Sequence, residues 1–335
     1  MNKPPLTNGH TGSNRPGSEQ AGHARRRRVH GRPAGTTTKP PLGAYGAFLL
    51  LGLIWGTNFI FMKWASASIS PTQIVLLRVL FGFLPLLVFA VATGTLHWRD
   101  WRHAHHFLVM AMLATAFYYI AFAKGTALLL SSVAGMLSGA IPLFTFVTAA
   151  VFLREEPLNV RSVSGTLLGF LGVLLIARPW SHDIGAVNVA GVLWMVAGSF
   201  SVGCSFVYAR KFISPLRLPP LALTTYQIGL ALVILLATTD PGGIMQIFGD
   251  IRASLGLIVG LGFLGTSVAY ILYYLIVDRL GAVAASSVTY IPPVVALVIG
   301  AVLAGEPVQA VDVLAMATIL VGVGILQSGR TIGKS

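Results

Sequence analysis

The sequence predicts an all-α integral membrane protein with ten transmembrane helices, built as two inverted five-helix repeats. Hydrophobic residues make up 55% of its 335 residues and charged residues only 10%, whereas about a quarter of a soluble domain is charged. The mean hydropathy is +0.78. Ten apolar stretches are long enough for a helix to cross the hydrocarbon. Residues 130–176 align without a gap on residues 280–326, which indicates an internal repeat.

The apolar stretches set the predicted boundaries within the chain. We expect spans at residues 44–65, 72–93, 105–124, 128–153, 159–177, 188–209, 220–238, 253–276, 282–304 and 309–327. The first five-helix repeat then covers residues 43–178 and the second covers residues 188–327. A tail at residues 1–42 precedes the repeats, and a short tail at residues 328–335 follows them.

The N-terminal tail is basic and has no apolar period. Eight of the 23 lysines and arginines lie before residue 40. The rest of the tail is rich in Gly, Pro and small polar residues, a composition typical of disorder. No aromatic residue interleaves with the arginines, so we expect no nucleic-acid partner. We predict instead that the tail contacts anionic lipid headgroups.

Basic residues in the loops predict the orientation. If the N-terminus is cytoplasmic, the loops on that side hold eight lysines and arginines, against four in the loops on the other side. The positive-inside rule then places both termini in the cytoplasm. We expect the membrane to be a bacterial inner (plasma) membrane. Because five spans is an odd number, the second half crosses in the opposite sense and the repeat is inverted.

Prolines and glutamates recur at matching places in the two halves. Of the 47 aligned positions 11 are identical, among them Pro142 with Pro292 and Glu156 with Glu306. A proline removes a backbone donor and kinks a helix, and in hydrocarbon the freed carbonyl needs a protein partner or a cavity. We therefore expect Pro142 and Pro292 to line a central pocket; the alternative is that they only shape packing.

Further motifs carry a family resemblance. The first span reads Trp55-Gly56-Thr57-Asn58-Phe59, the fourth ends Arg154-Glu155-Glu156-Pro157, and the ninth ends Ala304-Gly305-Glu306-Pro307. Over residues 43–327 the chain resembles the EamA-like branch of the drug/metabolite transporter superfamily. The resemblance implies a ten-helix inverted-repeat bundle that translocates a solute, often by exporting amino acids or other metabolites. The Arg154-Glu155-Glu156 ending departs from the Gly-Glu ending that the family favours.

Arg78 is the first candidate for a solute-binding residue. It lies about seven residues into the second span, and a guanidinium inside a membrane is rare and tends to face the bundle interior. Its planar fork suits a carboxylate or a phosphate. No Asp or Glu lies in the interior of a predicted span to pair with it. The alternatives are a structural tie to backbone carbonyls and snorkelling to the outer face.

Polar and aromatic residues of the same spans complete the predicted site. When the halves are paired at an offset near 149, Gln227 falls opposite Arg78. A tyrosine offers an apolar body and a hydrogen-bonding tip, which suits an amphiphilic solute, including an aromatic or cationic one. The alternative for such rings is an interfacial aromatic belt. The predicted substrate-binding residues are Arg78, Trp55, Asn58, Tyr118, Tyr226, Gln227, Tyr270 and Tyr290.

Lys63, Glu156 and Glu306 lie at span ends and are candidates for helix capping or gating. We expect Lys63 to snorkel towards the headgroups. Each glutamate precedes a proline that can start the next helix. A carboxylate is stabilising at a helix N-terminus, so we expect capping or interfacial solvation, with a gating ion pair as the alternative.

Other classes of function find little support in the sequence. It has no HExxH motif, no acidic pair within a span and no Ser-His constellation, and the single Cys204 excludes a multi-Cys metal site. His103, His105 and His106 adjoin two tryptophans and are interpreted as an interfacial anchor. We expect no enzyme activity, no catalytic residue, no metal and no cofactor.

The predicted function is an inner-membrane permease that moves a small amphiphilic metabolite, such as an amino acid, by alternating access, with export the expected direction. The histidines lie in tails, loops or at the edge of the third span. A proton-coupled pump usually titrates a membrane-embedded group, so we expect a facilitator or an exchanger. The alternatives are efflux of lipophilic cations or drugs, which Arg78 would repel, and a non-transporting scaffold or receptor. The oligomeric state stays open.

Overall fold

The computed structural model describes residues 42–153, 158–178, 180, 187–280 and 287–332. Nine helices of this part are long and apolar enough to cross a membrane, and one further apolar helix, the ninth, is shorter. The predicted all-α membrane fold is confirmed. The helices are α1 (Gly43–Ala65), α2 (Pro71–Ala92), α3 (Trp98–Leu128), α4 (Ser131–Phe152), α5 (Val160–Ala177), α6 (Val189–Leu216), α7 (Pro220–Thr238), α8 (Ile251–Tyr273), α9 (Val288–Leu303) and α10 (Ala310–Gly329).

The helix ends differ from the predicted ones mainly where the helical turn tightens or loosens. α3 begins at Trp98 rather than near residue 105, because its first part is a 3-10 turn over Trp98–His103. α6 continues past residue 209 through a π-helical turn, Ala209–Ile213. The helix that includes α8 runs on to Leu280. Hydrophobic periodicity does not distinguish such irregular turns from regular helix.

The ten helices run between two ends of the bundle. We call the end at which α1 begins the near face, and the opposite end the far face. α2, α4, α6 and α8 end at the near face, and α1, α3, α5, α7 and α9 end at the far face, as hydrogen bonds between helix ends indicate. Successive helices therefore cross in alternating directions.

The packing of the helices repeats when the two halves are exchanged. α1 packs on α8 and α9, and its counterpart α6 packs on α3 and α4. Likewise α2 packs on α8, and its counterpart α7 packs on α3. Three pairs join a helix to its own counterpart: α2 with α7, α4 with α9, and α5 with α10. This pattern is what an inverted repeat produces.

Glycines allow α5 and α10 to meet at backbone distance. A Cβ added to Gly165 would lie 2.4 Å from the backbone nitrogen of Leu326, and one added to Gly322 would lie 2.5 Å from that of Gly169. Small residues at such crossings let membrane helices associate by van der Waals packing. Large side chains at these positions would separate the two helices.

The main core lies between the two halves, and the outer surface is apolar. Its buried members include Phe59 of α1, Leu143 of α4 and Leu261 of α8. On the outside, Val88 and Val302 are 70% and 75% exposed. Apolar side chains on the outer surface suit contact with lipid tails, which are as apolar as the side chains themselves.

α4 is interrupted near its middle, and α9 begins with a 3-10 turn. α4 consists of two pieces, Ser131–Ser138 and Ile141–Phe152, and α9 passes from a 3-10 turn into the piece Ile291–Leu303. Pro142 and Pro292 stand in the first turn of their second pieces. A proline loses no helical hydrogen bond there, so both prolines are accommodated at the start of a helical piece.

Candidate functional site

The start of α2 fixes the position of Arg78. The hydroxyl of Ser70 accepts a hydrogen bond from the backbone nitrogen of Gln73, and the side chain of Gln73 accepts one from the backbone nitrogen of Ser70. This capping box satisfies two donors that a helix start leaves free. Pro71 occupies the first turn. Arg78 follows two turns later, with only 4% of its surface exposed.

The guanidinium of Arg78 contacts neutral groups of α1 and α8. Its Nε donates to Oγ1 of Thr266 and its Nη2 to the carbonyl of Gly265, each at 3.4 Å. Hydrogen bonding on both sides assigns the orientation of the Asn58 amide: Nδ2 donates to the Ile54 carbonyl at 3.1 Å, and Oδ1 accepts from Nη2 of Arg78 at 3.3 Å. All three contacts to Arg78 are long for hydrogen bonds, so they orient the guanidinium but bind it weakly.

Aromatic rings cover one side of Arg78. The guanidinium carbon lies 3.9 Å from the ring centre of Tyr119, a cation–π contact. Tyr118 adjoins Tyr119 with ring centres 4.9 Å apart and adjoins Phe122 at 4.6 Å, and Phe122 lies 6.0 Å from Phe59. The charge is therefore bordered by an apolar aromatic wall formed by α1 and α3.

Arg78 has no anionic partner in the part of the chain that the structure describes. The ion pair found there joins Arg178 and Asp312 at the far face. A guanidinium carries five N–H donors, and the two on Nη1 of Arg78 meet no acceptor on a described residue. A buried charge without a partner is costly. An anion from outside the chain would relieve that cost.

An irregular helix presents Thr266 to Arg78. Thr266 lies in a π-helical stretch, Gly256–Val268, and its hydroxyl donates to the carbonyl of Leu261 at 3.0 Å. The hydroxyl oxygen is thus oriented to accept from Arg78. A Cβ on Gly265 would lie 2.5 Å from the side-chain amide of Asn58, so only glycine allows α8 this close to α1. π-helical turns occur frequently at functional sites.

Gln227 makes the equivalent contact in the other half. It is the eighth residue of a helix that starts with Pro220, as Arg78 is in a helix that starts with Pro71. Its Nε2 donates to Oγ1 of Thr115 at 2.8 Å, and Thr115 lies in the π-helical stretch Met112–Ala116. The structure therefore places Gln227 on Thr115, at the position equivalent to that of Arg78, and a part for Gln227 in substrate binding stays a prediction. The repeat builds the same polar contact twice, once with a charge and once without.

Two of the predicted aromatic residues lie outside the immediate surroundings of Arg78. Trp55 packs against Tyr273 with ring centres 6.3 Å apart, in a separate cluster of α1 and α8. Tyr270 is half-buried and packs against the main core. Neither is among the residues that hold the guanidinium in this structure.

Tyr226 and Tyr290 also lie elsewhere. The hydroxyl of Tyr226 donates to the carbonyl of His97 at 2.9 Å, and its ring stacks on Phe107 with centres 4.9 Å apart. These partners belong to the near-face end of α3, where the interfacial alternative for such a ring applies. The hydroxyl of Tyr290 accepts from Nε2 of Gln327, which links α9 to the helix of α10.

The two prolines are buried, and Pro292 packs closely against α1. A Cβ added to Gly56 would lie 2.4 Å from the side chain of Val295 and 3.3 Å from the carbonyl of Pro292. Pro142 is buried at the start of the second piece of α4. The contacts of Pro292 are therefore those of a packed helix crossing, and pocket lining by the two prolines stays a prediction.

Lys63 and Glu306 lie at the far face. Lys63 does not extend to the headgroups as predicted: its Nζ donates to the carbonyls of Leu129, Ala127 and Thr126 at 2.6, 3.2 and 3.4 Å. It turns inward because the C-terminus of α3 ends beside it with carbonyls that lack helical partners. Glu156, the third predicted residue of this kind, lies outside the described residues.

Glu306 caps the start of α4. Its Oε1 accepts from the backbone nitrogen and hydroxyl of Ser131 at 2.7 and 2.8 Å, and its Oε2 from the backbone nitrogen of Ser132 at 2.9 Å. Burial alone would raise the pKa of the Glu306 carboxyl. The hydrogen bonds from Ser132 and Ser131 outweigh burial and lower that pKa below its ordinary value, so the carboxylate is ionised at neutral pH.

Sequence reasoning missed the two threonines and the ring that contacts Arg78. Thr115 and Thr266 are related by an offset of 151, close to the offset that relates Arg78 and Gln227. Aligning the third and eighth spans at that offset, as the fourth and ninth were aligned, would have singled out both threonines. Tyr119 follows the predicted Tyr118 directly, and only the direction of the side chain distinguishes them.

Similarity to known proteins identifies the class of the chain. It is 25% identical over 276 residues to an uncharacterized transporter of Archaeoglobus fulgidus, covering 82% of this chain and 95% of that protein. It is 27% identical to the uncharacterized transporter YdfC of Bacillus subtilis, covering 77% and 82%. It is 25% identical to the S-adenosylmethionine uptake transporter of Rickettsia conorii over 52% of this chain and 57% of that protein.

The fold and the family profile agree with these relatives. A solved structure with 19% sequence identity superimposes with a TM-score of 0.56 over 88% of this chain and 99% of its own, so the two share a fold. The sequence profile of the EamA-like transporter family matches residues 42–178 and again residues 189–327. The matched stretches contain all ten helices and the contacts of Arg78 and Gln227, and the chain belongs to the EamA-like transporter family.

Proposed function

We propose that this chain is a permease for a small amphiphilic metabolite with a carboxylate, an amino acid first, and that Arg78 binds the carboxylate. The observation that carries the proposal is the buried guanidinium with two N–H donors that no described residue accepts. A carboxylate accepts two parallel hydrogen bonds from such a fork. Alternating access would expose this group to the two faces in turn.

The surroundings of Arg78 support an amphiphilic rather than a purely polar solute. Tyr119, Tyr118 and Phe122 border the charge with apolar rings, against which the apolar part of a solute would pack. S-adenosylmethionine, which one relative takes up, is itself an amino acid with a carboxylate. We propose export as the net direction, as the family resemblance implies, and transport without a membrane-embedded proton carrier.

Efflux of lipophilic cations is the second candidate. Aromatic rings also bind cations, which keeps this function open for the same wall. The ring of Tyr119, however, already carries the guanidinium on its face, and a second cation would be repelled there. The two candidates therefore predict opposite effects of removing the charge.

Counterflow in proteoliposomes tests the proposal. Purified protein is reconstituted with unlabelled amino acids, organic acids or cationic dyes inside, and uptake of the labelled compound is followed. We expect a transient overshoot for a carboxylate-bearing class, and we expect Arg78→Ala to reduce it sharply. Arg252→Ala, which removes an exposed arginine at the far face, is the matched control and should leave it intact.

The outcomes separate the alternatives. An overshoot for cationic dyes that Arg78→Ala leaves unchanged or increases would support cation efflux instead. Absence of an overshoot for every class, from folded protein, would favour the scaffold or receptor. A pH gradient that drives accumulation without any counter-solute would contradict the absence of proton coupling.

We also propose that the near face is cytoplasmic, in a bacterial inner membrane. The basic residues of the loops favour it, and the basic N-terminal tail would then meet the anionic cytoplasmic leaflet. Fusions of a reporter that is active only in the cytoplasm to the C-terminus test this orientation. Activity is expected, and an inactive fusion with full expression would reverse the two faces.

A further inference from the structure

The junction between α3 and α4 at the far face is held from both repeats at once. α3 ends at Leu128 and α4 begins at Ser131. A helix end leaves carbonyls without helical partners, and a helix start leaves backbone N–H groups without them. At this junction a cation satisfies the carbonyls and an anion satisfies the N–H groups.

The anion comes from the second repeat. Glu306, which follows α9, accepts three hydrogen bonds from Ser131 and Ser132 at 2.7–2.9 Å. A Cβ on Gly300 would lie 2.5 Å from Oε2 of Glu306 and 2.9 Å from the side chain of Ser132, so a glycine at this position of α9 makes room for the contact. The charge also faces the positive end of the α4 helix.

The cation comes from α1. Lys63 donates to three carbonyls at the end of α3, the shortest contact being 2.6 Å to Leu129. A positive charge is stabilising at a helix C-terminus. Together Lys63 and Glu306 connect α1, α3, α4 and α9.

Beneath this junction the same helices are closely packed. A Cβ on Gly135 of α4 would lie 2.0 Å from that of Ala296 in α9, and 3.3 Å from the ring of Phe59. Phe59 in turn adjoins Phe122, which belongs to the aromatic wall beside Arg78. The contacts thus run without interruption from the junction to the candidate site.

We propose that Lys63 and Glu306 form a latch that keeps the far face closed, and that opening the site towards that face requires their contacts with the α3–α4 junction to break. The role of the closed state in transport rests on the proposed function. The contacts of the latch are made by the chain itself and need no solute. Helix ends offer a natural place for such a switch, because their polar groups can exchange side-chain partners for water.

Cysteine accessibility tests the latch without any solute. Cys204 is the only cysteine of the chain, so Cys204→Ser gives a cysteine-free background. Ser138→Cys then places a reporter thiol at a buried site three residues from Gly135, on the α4 face towards α9. Its labelling by a membrane-impermeant maleimide is timed in right-side-out and in inside-out vesicles.

The matched variants are Glu306→Gln and Asp312→Asn, which both neutralise a carboxylate at the far face. We expect Glu306→Gln to speed labelling from one side about tenfold, because hydrogen bonds to a charged group hold the closed state, and Asp312→Asn to leave the rate unchanged. Lys63→Gln should act in the same direction as Glu306→Gln. Equal rates in all variants from both sides would overturn the latch.

Hydrogen exchange distinguishes opening from unfolding. In Glu306→Gln, faster exchange confined to the peptide that contains Ser131 and Ser132 is expected, with α5 and α10 unchanged. Faster exchange throughout the protein would mean that Glu306 only stabilises the fold, which contradicts the latch. Because neither readout needs transport, a failed latch and a failed counterflow experiment are told apart.

Discussion

Arg78 in α2 and Gln227 in α7 occupy equivalent positions in the two repeats, but their contacts differ in kind. Gln227 forms one hydrogen bond of 2.8 Å to Thr115, whereas Arg78 forms contacts of 3.3–3.4 Å to Asn58, Gly265 and Thr266. The neutral contact is satisfied by the protein itself. The charged one leaves N–H donors unused by the described residues. The repeat thus places a polar side chain on a threonine in each half. Whether that position is satisfied within the protein or offers free donors depends on whether the side chain is glutamine or arginine.

The neighbouring helices show the same division. Asn58 of α1 directs its amide oxygen at Arg78. When the first and sixth spans are aligned at an offset of 147, Gly56 falls on Gly203 and the counterpart of Asn58 is Ser205 of α6. The hydroxyl of Ser205 donates to the carbonyl of Val202 in its own helix at 2.8 Å. Only the half with Arg78 therefore has a polar side chain that reaches across to the charge.

The largest expected effect separates the two positions by function. Arg78→Ala should reduce the affinity for a carboxylate solute by about 10- to 100-fold, since hydrogen bonds to a charged group contribute about 1.5–3 kcal/mol. Gln227→Ala should change it by less than about threefold, because the side-chain hydrogen bond of Gln227 goes to Thr115. Concentration dependence of counterflow measures both. Equal losses would mean that the two positions share one role.

Exchanging the two residues sharpens the comparison. In the double variant Arg78→Gln/Gln227→Arg we expect no recovery of transport and a lower thermal midpoint than in Arg78→Gln alone. An arginine at position 227 would be a buried charge without an Asn58-like partner, which costs several kcal/mol. Thermal unfolding in detergent and counterflow give the two readouts. Recovered transport would show that the halves are interchangeable.

Replacing Thr115 should mainly lower stability, whereas replacing Thr266 should mainly lower the affinity for the solute. Thr115→Val leaves Nε2 of Gln227 buried without a partner, which should destabilise the protein by about 1–3 kcal/mol while solute affinity changes little. Thr266→Val removes one long contact of Arg78, so we expect a loss of affinity of a few fold with a smaller loss of stability. If Thr266→Val proves the more destabilising of the two, the contact of Arg78 is structural.

The smallest effect concerns the ring above Arg78. Tyr119→Phe keeps a π face and should preserve solute affinity, whereas Tyr119→Leu removes a cation–π contact of about 0.5–2 kcal/mol. The guanidinium of Tyr119→Leu then has more freedom to leave its orientation, so affinity should fall by about twofold, which corresponds to the lower end of that range. The concentration dependence of counterflow in both variants measures this change in affinity. A loss in Tyr119→Phe equal to that in Tyr119→Leu would assign the effect to the hydroxyl.

Part of the site could be predicted from the sequence because charged and polar residues are scarce in the apolar spans. A charged residue in an apolar span has few stable environments, so Arg78 was identified as a buried residue, and Asn58 stood out for the same reason. Tyrosines are less informative, since an interfacial ring and a pocket ring have the same composition. Composition therefore groups Tyr226 and Tyr290 with Arg78, and in the structure their hydroxyls bond to His97 and Gln327.

Lys63 shows why contacts at helix ends are hard to predict. Snorkelling is the common behaviour of a lysine near a span end, and nothing in the neighbouring sequence contradicts it. The carbonyls that it binds belong to residues 126–129, more than 60 positions away in the chain. Which helix ends beside Lys63 is decided by the assembly of α1 against α3.

The sequence by itself determined the membrane class, the ten-helix architecture and the inverted repeat, because these depend on composition, span length and an odd number of spans per half. Only the tertiary structure decided which polar groups meet. Arg78 contacts Thr266 across 188 positions, and Gln227 contacts Thr115 across 112. Both contacts depend on π-helical stretches that rotate a threonine towards another helix. The hydrophobic pattern of a membrane helix is satisfied by lipid on nearly any face, so it does not specify that rotation; close packing between helices does.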